Sequence, residues 1–462
     1  MAKITSHYVC KKCGRVEETL HKICPICGSS DSFERCIVNN DGGGKTFERR
    51  QRAFPSGGVS EPLKRLDEVE VKESIRYSTG LSELDRVLGG GIMKGSSILL
   101  GGEPGIGKST LMLQAIANIS KEHSVVYVSG EETDMQVKIR SDRLGLDSSS
   151  ISLFSSTKLA SIIDMLWRER PSVVVIDSLQ TLSTSDLDSA PGTQSQIKAC
   201  TAALTETVKM LGITMFIIAH INKDGGIAGP KFAEHLVDTV MYFESAEGLL
   251  RVVRTSKNRY GSSDEVGVFM MGEKGLSCID DISKAFAVER VGNIPMGIVN
   301  TVVQEGTRAI FMEIQVLCTP LKGANRRIYS DKIDVSVVQR VTAVLEGHLG
   351  INLSQNDIYV NVAGGLRLTD RALELALAVA LFTSYNGIEL KRKAAFYGEL
   401  TLRGEVRKVP FLSKREKCAE SMGFSISVSP EDEDSDDDKS TIVHYKLDKL
   451  ENLFDVINRI NE

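Results

Sequence analysis

Between about residues 75 and 275, short continuous apolar runs alternate with longer segments of helical period. Ser97–Leu100, Val125–Ser129, Val173–Ile176 and Met215–Ala219 each read as a buried strand, and intervening stretches such as Ser109–Ser120 and Lys158–Arg170 are long enough for crossover helices. Strands alternating with helices predict a parallel sheet covered on both faces. A second α/β unit begins near 281, with strands expected at Gly297–Val303 and Ile358–Val362 and a long helix over Arg371–Ser384. Ahead of the first sheet, the chain mixes Gly, Ser, Asn and charge without a sustained period and reads as a linker. The expected division is a Cys-rich module at 1–30, a linker at 31–73, and α/β domains at 74–280 and 281–462.

Composition changes this picture little. A 42% hydrophobic and 25% charged chain of 462 residues is an ordinary globular protein of two to four domains. It has no run of 18 apolar residues and no signal-peptide pattern at its start, so we expect a cytoplasmic protein that does not enter a membrane. The net charge of −5 is misleading about partners, because the run 431–438 alone carries seven acids. That run is expected to be a solvated surface loop, and local basic patches are the better guide to nucleic acid.

Chemistry enters at 102–109, Gly-Glu-Pro-Gly-Ile-Gly-Lys-Ser, where Gly102, Gly107, Lys108 and Ser109 satisfy G-x-x-x-x-G-K-[ST] between a strand and an amphipathic helix. Its glycines let the backbone N–H groups of Glu103, Pro104's neighbours, Gly105 and Ile106 turn inward around a phosphate, and the helix N-terminus adds partial positive charge. Lys108 is the expected contact to the β- and γ-phosphates, Ser109 the Mg²⁺ ligand, and Thr110 completes the loop. A second Mg²⁺ ligand is expected in Asp177, which ends the apolar run Val173–Ile176. Val125-Val-Tyr-Val-Ser-Gly-Glu131-Glu132 ends another strand with two acids, of which Glu131 is the favoured group to orient an attacking water and Glu132 the alternative. Ala219-His220, leading to Lys223-Asp224, places His220 where a γ-phosphate sensor belongs.

Four of the nine cysteines fall in two C-x-x-C pairs, Cys10/Cys13 and Cys24/Cys27, ten residues apart. Two such knuckles can close one tetrahedral Zn²⁺ site, and so small a module needs a metal in place of a core.

Together these residues resemble the bacterial RadA (Sms) family of RecA-like ATPases. The resemblance spans nearly the whole chain: the Cys₄ knuckles, Gly101–Thr110, Val128–Glu132, Val175–Thr181, Ile227–Lys231 with Glu234–Val240, and Lys257-Asn258-Arg259-Tyr260-Gly261 for the family's K-N-R-F-G signature. It implies a RecA-like P-loop core with an N-terminal Cys₄ zinc module and a C-terminal Lon-protease-like α/β domain. It further implies an ATP-driven DNA motor in homologous recombination and repair that promotes branch migration on single-stranded and branched DNA. The expected partner is a recombinase of the RecA type, and the expected assembly a homo-oligomeric ring, a hexamer. In such a ring Lys257 and Arg259 could serve a neighbour's nucleotide.

The Lon-like stretch carries Gly398-Glu-Leu-Thr-Leu-Arg-Gly404 but no Ser at the helix start Asp370-Arg371-Ala372-Leu373, and its Lys column falls on about Ser413. Without a Ser–Lys dyad an ATP-dependent protease is disfavoured. A KaiC-like signalling ATPase would lack the Cys₄ module and the signature. Basic clusters at Lys322, Arg326 and Arg327, at Lys391–Lys393, and at Arg403, Arg407 and Lys408 are candidate phosphate contacts, with Arg326 and Arg327 foremost by resemblance.

Overall fold

The computed structural model describes residues 76–462 except 222–231, 247, 280–282, 285–291, 322, 324 and 431–441, together with residues 5–10, 16–17, 22, 30, 33–38 and 65. The chain divides into two compact units, 1–73 and 74–462.

In the first unit, β1 (Thr5–Cys10) pairs antiparallel with β2 (Val16–Glu17) and with β3 (Phe33–Val38), Cys10 lying opposite Phe33. β3 lies inside the stretch expected to be linker. Its six residues, Phe-Glu-Arg-Cys-Ile-Val, have good β-propensity but are too few to stand out among polar neighbours. The acidic run 431–438 lies outside the described residues.

The second unit opens with a hairpin of β4 (Arg76–Tyr77) and β5 (Ile92–Met93). A nine-stranded sheet follows, built from β6 (Ser97–Gly102), β7 (Val125–Ser129), β8 (Ile151–Ser155), β9 (Val173–Asp177), β10 (Thr214–His220), β11 (Thr239–Ser245), β12 (Leu250–Asn258), β13 (Val266–Gly272) and β14 (Gly275–Cys278). Their order is β14-β13-β12-β11-β6-β10-β9-β7-β8. Strands β11 to β8 in that order are parallel, as expected, whereas β12, β13 and β14 add an antiparallel extension. Two-residue periodicity sorts side chains to the two faces. Val173, Val175, Phe216 and Ile218 pack with the helix Lys108–Ile119, while Val174, Ile176, Met215 and Ile217 pack with the helices Leu159–Glu169 and Gln194–Leu211.

A seven-stranded mixed sheet completes the unit: β15 (Ile298–Glu305), β16 (Arg308–Pro320), β17 (Ile328–Ser330), β18 (Asn356–Val362), β19 (Ala394–Phe396), β22 (Ile426–Ser429) and β23 (Val443–Lys446), in the order β17-β18-β16-β15-β19-β22-β23. A separate small hairpin joins β20 (Glu399–Leu400) to β21 (Val406–Arg407). The helix Leu373–Asn386 is apolar all round, and its first eleven residues are buried. Its one early charge, Glu374, accepts two hydrogen bonds from Arg340 and one from the Leu400 N–H. The core of this sheet also contains Leu250, Val252, Val266 and Val268 from β12 and β13. Among the described residues no helix is long and apolar enough to cross a membrane.

Candidate nucleotide-binding site

β6 runs straight into the glycine-rich loop. Gly105 and Gly107 take positive φ (77° and 116°), conformations that L side chains resist, and Gly107 caps the helix Lys108–Ile119. A Cβ on Gly107 would lie 2.6 Å from Met271 Cε, and one on Gly102 only 2.8 Å from the Phe243 carbonyl. Glycine is therefore required at 107 by its backbone conformation and at 102 by the close Phe243 backbone, whereas the Met271 methyl beside 107 is the end of a flexible side chain. Glu103, Pro104 and Gly105 are exposed, Ile106 is buried, and Ser109 and Thr110 sit half-buried in the first helical turn.

Parallel β9, β7 and β10 end at the same edge, which is where open α/β sheets bind ligands. Lys108 donates to the carbonyls of Gly102 and Glu103 at 2.8 and 2.9 Å and lies 3.4 Å from His220 Nδ1. Burial disfavours its charge more than Asp177, Glu131 and Glu103 favour it, so its pKa falls to about 8. Asp177 is buried and accepts a hydrogen bond from the Tyr127 hydroxyl. Glu131 accepts from the Ser178 hydroxyl and lies 3.0 Å from His220 Nε2. The His220 hydrogen bond, against burial and with help from Ser178 and the Lys108 charge, holds the Glu131 carboxyl down at about 2. Glu132 instead turns away to pair with Arg140 on the following helix. The fold thus brings together Lys108, Glu131, Asp177 and His220. Lys223 and Asp224 lie outside the described residues.

Several contributors carry no signal in sequence. Tyr127 sits in an apolar strand and looks like core, yet its hydroxyl orients Asp177. Arg251, on β12, donates from Nε to the Ile106 carbonyl at 3.3 Å and from Nη1 to the carbonyls of Gly248 and Leu250. Arg251 and Met271 thereby brace the loop from strands more than 140 residues downstream. A cleft of about 390 Å³ opens beside Thr110, lined by Arg143, Leu144, Met271 and Gly275.

The signature segment lies elsewhere. Val240 on β11 pairs with both Leu99 of β6 and Lys257 of β12, so Lys257–Gly261 emerge at the N-terminal end of β6, opposite the phosphate loop of their own chain. Lys257 donates to the carbonyls of Glu234 and Val237 at 2.8 and 2.7 Å, capping the helix Phe232–Leu236. Arg259 is exposed and pairs with Asp238 at 3.2 Å. Asn258 accepts from the Thr239 hydroxyl and the Tyr260 N–H, and a Cβ on Gly261 would meet Asn258 at 2.9 Å. Tyr260 is exposed, and its carbonyl accepts from Arg76.

In the C-terminal sheet, Arg327 is exposed, whereas Arg326 is half-buried and lies 3.6 Å from Glu346. Lys391–Lys393, Arg403, Arg407 and Lys408 are exposed, and Lys322 lies outside the described residues. At the start of the helix Leu373–Asn386, Asp370 pairs at 2.7 Å with Arg415, which is fully buried. Ser413 and Lys414 point outward. This Asp–Arg pair holds no nucleophile for peptide hydrolysis.

Of the four metal-candidate cysteines only Cys10 is described. It is buried at the end of β1. Cys13, Cys24 and Cys27 lie outside the described residues, and no metal-binding cluster occurs among the described ones.

Residues 77–168 match the family described as ATPase: KaiC, and residues 331–433 the family described as subunit ChlI of Mg-chelatase. A crystal structure of a KaiC-like protein from Pyrococcus horikoshii OT3 covers 44% of this chain and 98% of its own at 20% identity and a TM-score of 0.39, too loose an overlap to inform the fold. DNA repair protein RadA of Treponema pallidum is 42% identical over 93% of both chains, and that of Bacillus subtilis 40% identical over the same shares. The corresponding protein of Pseudomonas aeruginosa is 37% identical over 93% of this chain and 94% of its own. With a RecA-like P-loop ATPase core and a ChlI/Lon-like C-terminal domain, the chain belongs to the RadA family of DNA repair proteins.

Proposed function

We propose that the chain is an ATP-driven DNA motor that promotes branch migration and extends strand exchange in homologous recombination. The observation that carries this reading is the convergence of Lys108, Asp177, Glu131 and His220 at one edge of the parallel sheet, within a chain of this family. The loop N–H groups and Lys108 hold the phosphates, and the cleft beside Thr110 takes the base. The Ser109 hydroxyl and the Asp177 carboxylate, fixed by Tyr127, fit a Mg²⁺ ion, which when bound neutralises phosphate charge. With a pKa near 2, Glu131 is a weak base, so it serves by accepting a hydrogen bond from the attacking water and orienting it.

Lys257 and Arg259 act in trans. They sit at the far end of the sheet from their own loop, so an adjacent copy in a closed ring, a hexamer, is the one they can serve. Cys10, Cys13, Cys24 and Cys27 hold one structural Zn²⁺, for which four thiolates are a complete donor set. Arg326 and Arg327 contribute phosphate contacts, single-stranded and branched DNA are the substrates, and a recombinase of the RecA type is the protein partner. The working place is the cytoplasm, and the working domains are 74–280 and 281–462 behind the zinc module.

The test is ATP hydrolysis with and without single-stranded DNA, alongside Lys108→Ala. Stimulation by DNA that vanishes in the variant supports the motor. Hydrolysis indifferent to DNA removes it.

A further inference from the structure

We infer that the outer face of the C-terminal sheet, at Leu317, Tyr359 and Tyr329, is a stacking platform for the unpaired bases of single-stranded nucleic acid. The inference rests on the DNA reading above and assigns it a place in the fold.

Strand alternation creates this face. On β18, Ile358, Val360 and Val362 point into the core, which turns Tyr359 and Asn361 outward. Register then lines up one rung across three strands, because Tyr359 pairs with Leu317 of β16 on one side and with Tyr329 of β17 on the other. All three are left open, at 54% exposure for Leu317, 40% for Tyr359 and 48% for Tyr329. The two rings are parallel, 5.0 Å between centroids and 7° between planes. They stand in a shallow cleft of about 440 Å³.

The polar groups around the rung favour nucleic acid over protein. One rung further along, Asn361 donates to Gln315 at 3.1 Å and Gln315 donates on to Glu313 at 2.7 Å, an arrangement that leaves the Asn361 Oδ1 and its second N–H for a base edge. Two residues before Tyr329, just ahead of its strand, stands the exposed Arg327. Asp331 also lines the cleft, and Lys332 lies 3.0 Å from its carboxylate, offsetting the charge. Cation, flat rings and amides in succession match phosphate, base plane and base edge. A rung one residue wide between polar neighbours is too narrow for the apolar core of a stable protein interface.

The experiment uses the full chain and three fluorescein-labelled probes: oligo-dT, a phosphodeoxyribose strand of equal length without bases, and a duplex. Replacing Tyr329→Ala and Tyr359→Ala together is expected to weaken oligo-dT binding at least about tenfold while leaving the abasic strand and the duplex unchanged. The pair Tyr329→Phe with Tyr359→Phe should restore it, since the ring rather than the hydroxyl is used. Tyr359→Trp should show indole quenching by oligo-dT. DNA-free ATP hydrolysis at the wild-type rate verifies folding of each variant. Oligo-dT affinity unchanged in the alanine variant overturns the platform while leaving the motor reading intact. Equal loss on all three probes overturns it too, since only phosphate contacts or the fold have then been damaged. A change in sedimentation with unaltered DNA affinity assigns the face to a second copy instead. Absence of DNA binding by the wild type removes platform and motor together.

Discussion

With its pKa lowered to about 8 by burial, Lys108 is only partly charged in mildly alkaline solution, whereas a phosphate contact needs the full cation. Bound phosphate raises that pKa, so the complex holds more protons than the free protein above about pH 8. Affinity for ATP should therefore be flat below pH 7 and fall as pH rises through 8. Calorimetric titration at pH 8.5 in two buffers of different ionisation enthalpy should show proton uptake, and Lys108→Arg, which cannot deprotonate, should abolish the uptake. No uptake in the wild type contradicts the assignment. The two adjacent acids make a sharper contrast. Glu131→Gln should cut kcat by roughly 10²-fold or more with little change in ATP affinity, because it removes the group that orients water. Glu132→Gln should cost far less, since its carboxylate is committed to Arg140. Single-turnover hydrolysis separates the two, and equal losses refute the assignment. Sequence could name Lys108, Asp177 and Glu131 because their backbone context is local, a strand end or a helix start. It could not name Tyr127 or Arg251, whose roles depend on pairings between segments distant along the chain.

At the scale of elements, β12 links two chemistries. Its first residues reach the phosphate loop through Arg251, and its last residues carry the signature turn at the other end of the sheet. This antiparallel extension escaped the strand–helix rhythm because β12, β13 and β14 follow one another without helices, leaving no crossover period to read. Arg251→Ala removes a bracing hydrogen bond worth about 1 kcal/mol, and KM for ATP should rise roughly fivefold with kcat little altered. The opposite end tests the ring. A Lys108→Ala chain lacks its own site but keeps the turn, and a Lys257→Ala/Arg259→Ala chain has the reverse defect. Mixed in equal amounts, the two inactive proteins should regain hydrolysis, because some sites then join an intact loop to an intact turn. A mixture as inactive as its components excludes trans action.

At the scale of the molecule, the expected boundary near residue 280 divides sheets but not cores. Leu250, Val252, Val266 and Val268 belong by chain to the first sheet and by packing to the second. Arg308 of the second sheet pairs at 2.7 Å with the buried Glu83, and Arg254 with the buried Glu305. Sequence showed both sheets but not this sharing, since an apolar residue on a strand does not declare which neighbour it will meet. The physical consequence is cooperative unfolding of 74–462. Trp167, the chain's only tryptophan, reports the ATPase sheet, and Phe454→Trp in a Trp167→Phe background reports the C-terminal sheet. In urea the two midpoints should coincide. Nucleotide at 100 times its Kd adds about 2.7 kcal/mol to whatever unfolds with its site. If the core is shared, ADP must therefore raise the C-terminal midpoint as much as the ATPase one, although it touches only the latter. Arg308→Ala, which strips about 2 kcal/mol of charged hydrogen bonding from Glu83, should lower both together. A C-terminal midpoint indifferent to ADP would mean that the two sheets unfold separately, and that whatever couples hydrolysis to the C-terminal face does not pass through this core.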